Sequence, residues 1–551
     1  MLISLAITLK IIYPIYISEE IIVTYGLKPF DICQNQKIWE YIKIGYILNF
    51  MFANAIIGNL IYNQIPKNSI KHVKNEEKNI IDTNELKLLI GQDQNTLQKI
   101  YVPESGLFQN FLITGTIGSG KTSSAMYPLT RQLLEYNYKN PDKKIGMLVL
   151  DVKGNYYEQV RKYAKKYNLE KDLIVIELNS KITYNPLNKP ELKPTVLANR
   201  LRTILELFSE NNSESYWLDK AEQILQEAIK LCRLYNNGYV TFEEIHKLVT
   251  VQGYYKEKVH MLKELFIEQK LSIEQIYELN MALEFFSQEF ENLDQRTLSI
   301  LKSEITRITN TFISDYDVLK TFSPKKENLT FLGFEDVIKN GKIVVLNMNI
   351  AEYKNLSKII AAYLKLDFQT EIMRNLSKKN SKITAFICDE YAEYVTKTDS
   401  DFFALSREAK CINIVSTQSY SSIKKTLKDE TSVKVICQNL INKIWFRTDD
   451  IFTIEEAQKQ LGKEEKERVS KNISESAKKT QYNYLTKSLI NKDSNISESV
   501  NLYTQNDYVY DTNFFTQKLE TFNSLCFLSD GNKILKPEKL KMYPYFLEEK
   551  E

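Results

Sequence analysis

The chain has 551 residues, 43% hydrophobic and 26% charged, with a formal net charge of +3. It is too long for one small domain and too apolar for a disordered chain. The near-neutral balance excludes a protein that coats nucleic acid with its whole surface, so such a partner needs a local basic lining.

Cysteine and histidine usage excludes more. The six cysteines (Cys33, Cys232, Cys388, Cys411, Cys437, Cys526) form no C-x-x-C pair, and the three histidines stand apart from them. That pattern argues for reduced thiols in a cytosolic body and against a zinc site.

The chain begins with two apolar segments. "LISLAITLKIIYPIYI" (2–17) is apolar except for Lys10, and "IGYILNFMFANAIIGNLIYNQIP" (44–66) has no charged residue over a length that crosses a bilayer. Lys67, Lys71, Lys74 and Lys78 follow, which places the body on the cytoplasmic side. Residues 1–66 are expected to be a two-pass transmembrane anchor in the cell (inner, cytoplasmic) membrane. The other readings are a signal peptide at 2–17, which lacks a basic start and a small-residue cleavage site, and two buried core helices.

"NFLITGTIGSGKTSS" (110–124) follows. Gly115, Gly120, Lys121 and Thr122 satisfy G-x-x-x-x-G-K-[ST] between an apolar strand and a helix. Glycines let backbone N–H groups curl around phosphates, the lysine neutralises their oxygens, and the threonine hydroxyl holds Mg²⁺. The helix start adds its positive end. The candidate ATP site is the loop Gly115, Thr116, Ile117, Gly118, Ser119, Gly120, Lys121, Thr122 and Ser123, and Pro128 is placed to bend the helix after it.

Further strands end in polar residues. "KIGMLVLDVKG" (144–154) ends in Asp151, Lys153 and Gly154. "GKIVVLNMN" (341–349) ends in Asn347 and Asn349, "CINIVSTQ" (411–418) in Gln418, and "NKIWFRTDD" (442–450) in Thr448, Asp449 and Asp450. These short β-branched runs suit strands buried on both faces, with helical patterns at 352–375 and 399–410 between them. "SKITAFICDEYAEYV" (381–395) reaches Asp389-Glu390: the first carboxylate can hold Mg²⁺, and the second can polarise the attacking water. The pair favours a RecA-like ATPase. Gln418 is placed to sense the γ-phosphate, or else is a surface turn residue.

Residues 194–320 follow helical periodicity, as in Trp217, Ala221, Ile224, Leu225, Ala228 and Leu231, a stripe expected to be core. Thr241 with Glu244 reads as a capping box. Residues 455–500 are rich in Lys, Glu, Ser and Asn and are expected to be a solvated, mobile stretch. "TFNSLCFLSDGNKILKP" (521–537) predicts one more strand with a turn at Asp530-Gly531.

The expected fold is α/β. A P-loop RecA-like nucleotide-binding domain is split into 67–193 and 331–551, with an all-α insertion domain at 194–330 and the anchor at 1–66.

These pieces, in this order, resemble the type IV coupling proteins of conjugation and type IV secretion, the VirD4/TraG/TraD group. The resemblance rests on the two-pass start, "GTIGSGKTSS", "LDVKGNYYEQV", "YNPLN", the insertion with Trp217, "GKIVVLNM", "FICDEYAEY", "SREAKCINIVSTQSYSSI" and "NLINKIWFRTDD". It implies that Lys121 and Thr122 bind phosphates and Mg²⁺, that Asp389 and Glu390 serve metal and water, and that Gln418 senses the γ-phosphate. It also implies that Arg407, eleven residues before Gln418, is supplied across a subunit interface, where a guanidinium offsets charge on the γ-phosphate.

The implied assembly is a membrane-anchored homo-hexamer. It binds ATP between subunits and delivers single-stranded DNA with its relaxase to the type IV secretion channel. "YAEYV" departs from the Leu-Gly that often follows the Asp-Glu strand. Two rival readings are an FtsK/HerA-like duplex-DNA pump and a secretion receptor for protein substrates that does not handle DNA.

Overall fold

The computed structural model describes residues 85–548 except 152, 209–214, 268–270, 349, 377–380, 477–480, 484–487 and 491–494. The expected anchor segments, Cys33 and Asn349 lie outside the described residues. Among those residues, no helix is long and apolar enough to cross a membrane.

The first nine strands are β1 (Lys87–Asp93), β2 (Lys99–Pro103), β3 (Phe111–Thr114), β4 (Gly146–Leu150), β5 (Leu173–Ile176), β6 (Ile343–Leu346), β7 (Thr384–Cys388), β8 (Cys411–Thr417) and β9 (Asn442–Trp445). Six follow: β10 (Lys463–Ser476), β11 (Gln481–Asn483), β12 (Ser488–Ile490), β13 (Asn495–Tyr508), β14 (Asn523–Phe527) and β15 (Glu538–Lys541). The main sheet runs β2-β1-β15-β14-β9-β3-β8-β7-β4-β6-β5. From β9 to β5 every pairing is parallel, whereas β14, β15, β1 and β2 add an antiparallel edge. The expected α/β sheet is present.

Side-chain alternation explains why the central strands are mostly apolar. Leu148 and Leu150 of β4 and Phe386 and Cys388 of β7 enter one core; Met147, Val149, Ala385 and Ile387 enter the core on the other face. Both faces are covered, which favours apolar side chains on each. Parallel pairing also brings the ends of β3, β4, β7 and β8 to one edge of the sheet, where ligands gather in such folds.

Between β5 and β6 the described residues form eight α-helices: Pro194–Leu207, Ser215–Tyr235, Phe242–Thr250, Tyr254–Ile267, Ile273–Glu284, Gln295–Ile313, Tyr316–Phe322 and Phe334–Asn340. Their apolar stripes join one sheet face in a continuous core. Phe242 stacks on Phe312 at 3.9 Å between centroids. Of the expected core stripe, Ala221 through Leu231 are buried, whereas Trp217 is half-buried against that core.

Three local expectations need correction. Thr241 does cap its helix, accepting from the Glu244 amide at 3.2 Å. The Glu244 carboxylate, however, takes the hydroxyls of Tyr235 (2.6 Å) and Tyr254 (2.9 Å), so half of the expected box is missing. The reciprocal box lies instead at Ser272 and Gln275. Pro128 does not stand inside a regular helix: a π-turn over Thr122–Met126 precedes Tyr127–Lys139, and Pro128 sits in that helix's first turn, where no N–H is needed. The helix expected at 399–410 spans only Asp399–Leu405.

Where a solvated, mobile stretch is expected at 455–500, the described residues form regular structure. The helix Ile451–Leu461 leads into a long two-stranded ribbon in which β10 pairs with β13 through fourteen residue pairs. Its composition hid it because no apolar alternation marks the strands, and the pairing runs through the backbone. At its base Arg468 meets Asp507 at 2.5 Å, and Lys466 donates to the Tyr508 and Val509 carbonyls at 2.7 and 2.9 Å. The strand expected in 521–537 is β14, with a turn closed by the Ser529–Ile534 bridge.

Candidate nucleotide-binding site

β3 lies between β8 and β9, with Thr114 level with Thr417 and Trp445. As β3 ends, the Gly115 amide donates to the Gln418 carbonyl at 3.2 Å and the Thr116 amide to the Arg447 carbonyl at 2.8 Å. These bonds aim the glycine-rich loop out of the sheet. Gly118 (φ +77°) and Gly120 (φ +104°) take conformations that L side chains avoid. Among the described residues, the amides of these two glycines have no protein acceptor. A cradle with open donors suits a phosphate.

The side chains complete it. Lys121 is buried and donates to the carbonyls of Gly115 (2.6 Å) and Thr116 (3.2 Å). Burial pulls its ammonium below the usual lysine range, against the attraction of Glu390 and Asp389. The Thr122 hydroxyl donates to Asp389 Oδ2 at 2.7 Å. Asp389 is buried, and its Oδ1 accepts from the Ser416 hydroxyl and the Glu390 amide (3.1 Å). Glu390 stands in the left-handed region at φ +51° and pairs with Lys153 at 3.1 Å.

Asp151, at the end of β4, is buried as well. It caps the helix Tyr156–Lys166, accepting from the Asn155 and Tyr156 amides at 3.2 Å. Burial and the neighbouring Asp389 raise its carboxyl above the ordinary range. Lys153 shifts up: its partial burial opposes charge, but Asp389, Glu390 and Asp151 outweigh that.

The structure thus brings together residues 115–123, Asp389, Glu390 and the backbone of Gln418, whose exposed side chain stands at the end of β8 beside the loop. Arg407 is elsewhere. It precedes β8, at the opposite end of the strand, with its guanidinium 3.5 Å from the Gly531 carbonyl. A seven-residue strand separates it from the loop by roughly 20 Å, so it cannot reach the site of its own chain. Asn347 bonds Glu177, and Asp450 caps the helix Ile451–Leu461, so these polar strand ends serve local structure.

Three contributors had no role in the sequence reading: Lys153, Ser416 and Phe522. The first two stand inside "DVKG" and "STQ" and only needed a partner. Phe522 could not be found from sequence. It lies 402 positions beyond Gly120, yet a Cβ on Gly120 would meet its ring at 2.6 Å, and its amide donates to Ser119 O at 3.2 Å.

Thr122, Asp389 and Ser416 offer the oxygen donors that Mg²⁺ prefers. With the open amides and Lys121, they fit a metal-bound nucleoside triphosphate.

Residues 384–500 match the family model described as the TraM recognition site of TraD and TraG. Solved structures of similar fold include the unbound bacterial conjugative coupling protein TrwB lacking its first 70 residues, at 13% identity and TM-score 0.52, covering 83% of this chain and 88% of that one. TrwB with a non-hydrolysable ATP analogue is 12% identical at TM-score 0.52, covering 83% and 94%. TrwB with ADP and Mg²⁺ is 12% identical at TM-score 0.51, covering 80% and 86%. No curated protein matches the sequence significantly.

Proposed function

We propose that this chain, of the TraG/TraD/VirD4 coupling-protein type by its 384–500 segment and its fold, is a membrane-anchored ATPase that drives DNA transfer in conjugation. The observation that carries the reading is the Thr122–Asp389 contact, with Glu390 beside it, at the mouth of the parallel sheet. The relatives' bound ADP, Mg²⁺ and ATP analogue support the choice of ligand.

The roles follow from the geometry. The open Gly118 and Gly120 amides hold phosphate oxygens, and Lys121 turns from its loop carbonyls to neutralise them. Thr122 and Asp389 hold the metal. Bound Mg-ATP supplies the γ-phosphoryl group and the electrophile. Glu390 orients and deprotonates water, with Lys153 paired beside it. Gln418, tied to Gly115 through its carbonyl, relays the state of the γ-phosphate to β8.

Arg407 needs a neighbouring copy to act, which supports a homo-hexameric ring with ATP at each subunit boundary. Within it, single-stranded DNA and its relaxase are passed toward the type IV secretion channel, the body facing the cytoplasm and residues 1–66 in the membrane. Backbone charge would grip the DNA with little sequence preference.

The test is ATP hydrolysis by the full chain in detergent, with and without single-stranded or duplex DNA, beside Lys121→Ala. Stimulation by single strands that vanishes in the variant supports the proposal. A duplex preference favours a pump, and Lys121-dependent hydrolysis indifferent to DNA favours delivery of protein.

A further inference from the structure

The helix Ile350–Arg374 carries two buried charge clusters that nucleotide chemistry does not explain. Lys365 and Asp399 are fully buried and pair at 2.7 Å. Asp399 also accepts from the Tyr391 hydroxyl (2.6 Å), the Thr396 amide (3.0 Å) and Gln369 (3.0 Å). Lys365 donates to the Tyr394 carbonyl at 2.6 Å and to Thr396 Oγ1 at 3.0 Å. Four of these bonds, to Tyr391, Tyr394 and Thr396, pin the segment 391–396, which begins one residue after Glu390.

The second cluster faces the other way. Asp367 is fully buried and pairs with Lys189 at 3.0 Å and Arg200 at 2.9 Å, and it also accepts from the Tyr184 hydroxyl. Arg200 belongs to the insertion helix Pro194–Leu207. The Tyr184 amide donates to Thr321 of the insertion at 2.8 Å, and Arg233 of the insertion donates to Lys189 O at 2.7 Å. Residues two apart on a helix point about 200° away from each other. One face of this helix therefore grips the insertion, and the other grips the segment behind Glu390.

Buried ion pairs are weak stabilisers, because well-packed apolar residues often do as well; what they add is a defined geometry. A defined geometry is what Glu390 needs. Its left-handed backbone is unfavourable for a non-glycine residue and persists only where surroundings over-determine it.

We infer that Lys365 and Asp399 are positioning residues for Glu390, and that the helix Ile350–Arg374 links their setting to the all-α insertion through Asp367. The inference rests on the assignment of Glu390 above. When the insertion moves against the sheet, Asp367 carries the helix with it, and the Lys365–Asp399 clamp shifts Glu390 relative to Asp389. Hydrolysis then depends on the state of the insertion, while the phosphate cradle does not.

Two hydroxyl deletions test this without leaving a buried charge alone: Tyr391→Phe beside Glu390 and Tyr184→Phe beside the insertion. The full chain is assayed for kcat and for the Kd of a fluorescent ATP analogue, with melting temperature confirming the fold. Lys365→Met/Asp399→Asn is the stronger version, removing both charges together. Expected are kcat losses of about five- to tenfold for each Tyr→Phe variant with Kd unchanged, and a double variant no slower than the slower single, because both break one linkage. An unchanged kcat in Tyr184→Phe overturns the link to the insertion. An unchanged kcat in Tyr391→Phe and in the folded charge-free pair overturns the positioning role. Glu390→Gln separates the premises: if it stays active, the site assignment has failed rather than the clamp.

Discussion

The Thr122 hydroxyl and the Asp389 carboxylate meet at 2.7 Å although 267 positions separate them in the chain. The contact exists because β8 lies between β3 and β7: Thr114 is level with Thr417, and Cys388 with Val415. One residue past β7 and eight past β3, the two side chains turn into the same cleft.

Replacing Lys121 by alanine should abolish hydrolysis while leaving the chain folded. Among the described residues, Lys121 Nζ bonds only to the loop's own carbonyls, Gly115 O and Thr116 O, so the sheet does not depend on it. A loss of roughly 10²–10³-fold in kcat is expected for one electrostatic contact to the reacting group. Phosphate release at saturating ATP measures it, and wild-type turnover would refute the role.

Gly120→Ala should harm the nucleotide-free protein more than Gly118→Ala. Both positions have positive φ, which for alanine costs about 1–2 kcal/mol. Only Gly120 also faces the Phe522 ring at 2.6 Å; Gly118 has open space. Denaturant titration of the two variants should rank them in that order, and the reverse order would contradict the packing.

Arg407→Ala should lose turnover but keep nucleotide affinity, since it cannot reach the site of its own chain. Mixed with Lys121→Ala, it should regain part of the activity, because a mixed ring can pair an intact Lys121 site with an intact Arg407 from its neighbour. Two inactive proteins that stay inactive when mixed, despite mixed assembly, would rule out a contribution in trans.

Lys443 supplies a pH dependence. It is buried, donates to the Cys437 carbonyl at 2.8 Å, and burial lowers its ammonium from 10.5 to about 8. Below pH 8 both folded and unfolded chains are protonated there, and the folded chain bears the full cost. Between about 8 and 10.5 the unfolded chain binds more protons, so stability rises with pH. The rise is on the order of 3 kcal/mol. Lys443→Met should remove that component, seen as a flatter unfolding free energy across the window; equal slopes in both proteins would count against it.

Much of the site was legible in the sequence because phosphate chemistry uses a contiguous loop. Residues 115–123 carry their own spacing, and Asp389-Glu390 ends an apolar run in a way that invites a metal. Lys153 and Ser416 were visible but had no partner until β4, β7 and β8 were in register. Phe522, packed against Gly120, had no local signal. The β10–β13 ribbon escaped for a different reason: polar side chains on both faces leave no periodicity to read, while the backbone ladder forms regardless.

The sequence by itself determined the buried parallel strands and the phosphate loop, because burial on two faces and a phosphate cradle each impose a local pattern on neighbouring residues. Tertiary structure alone decided that Ser416 and Lys153 join Asp389 and Glu390, that Arg407 stands at the far end of β8, and that Lys365 and Asp367 face opposite ways from one helix. Those relations depend on strand order and helix rotation, and pairing across hundreds of residues leaves no trace in the spacing of either partner.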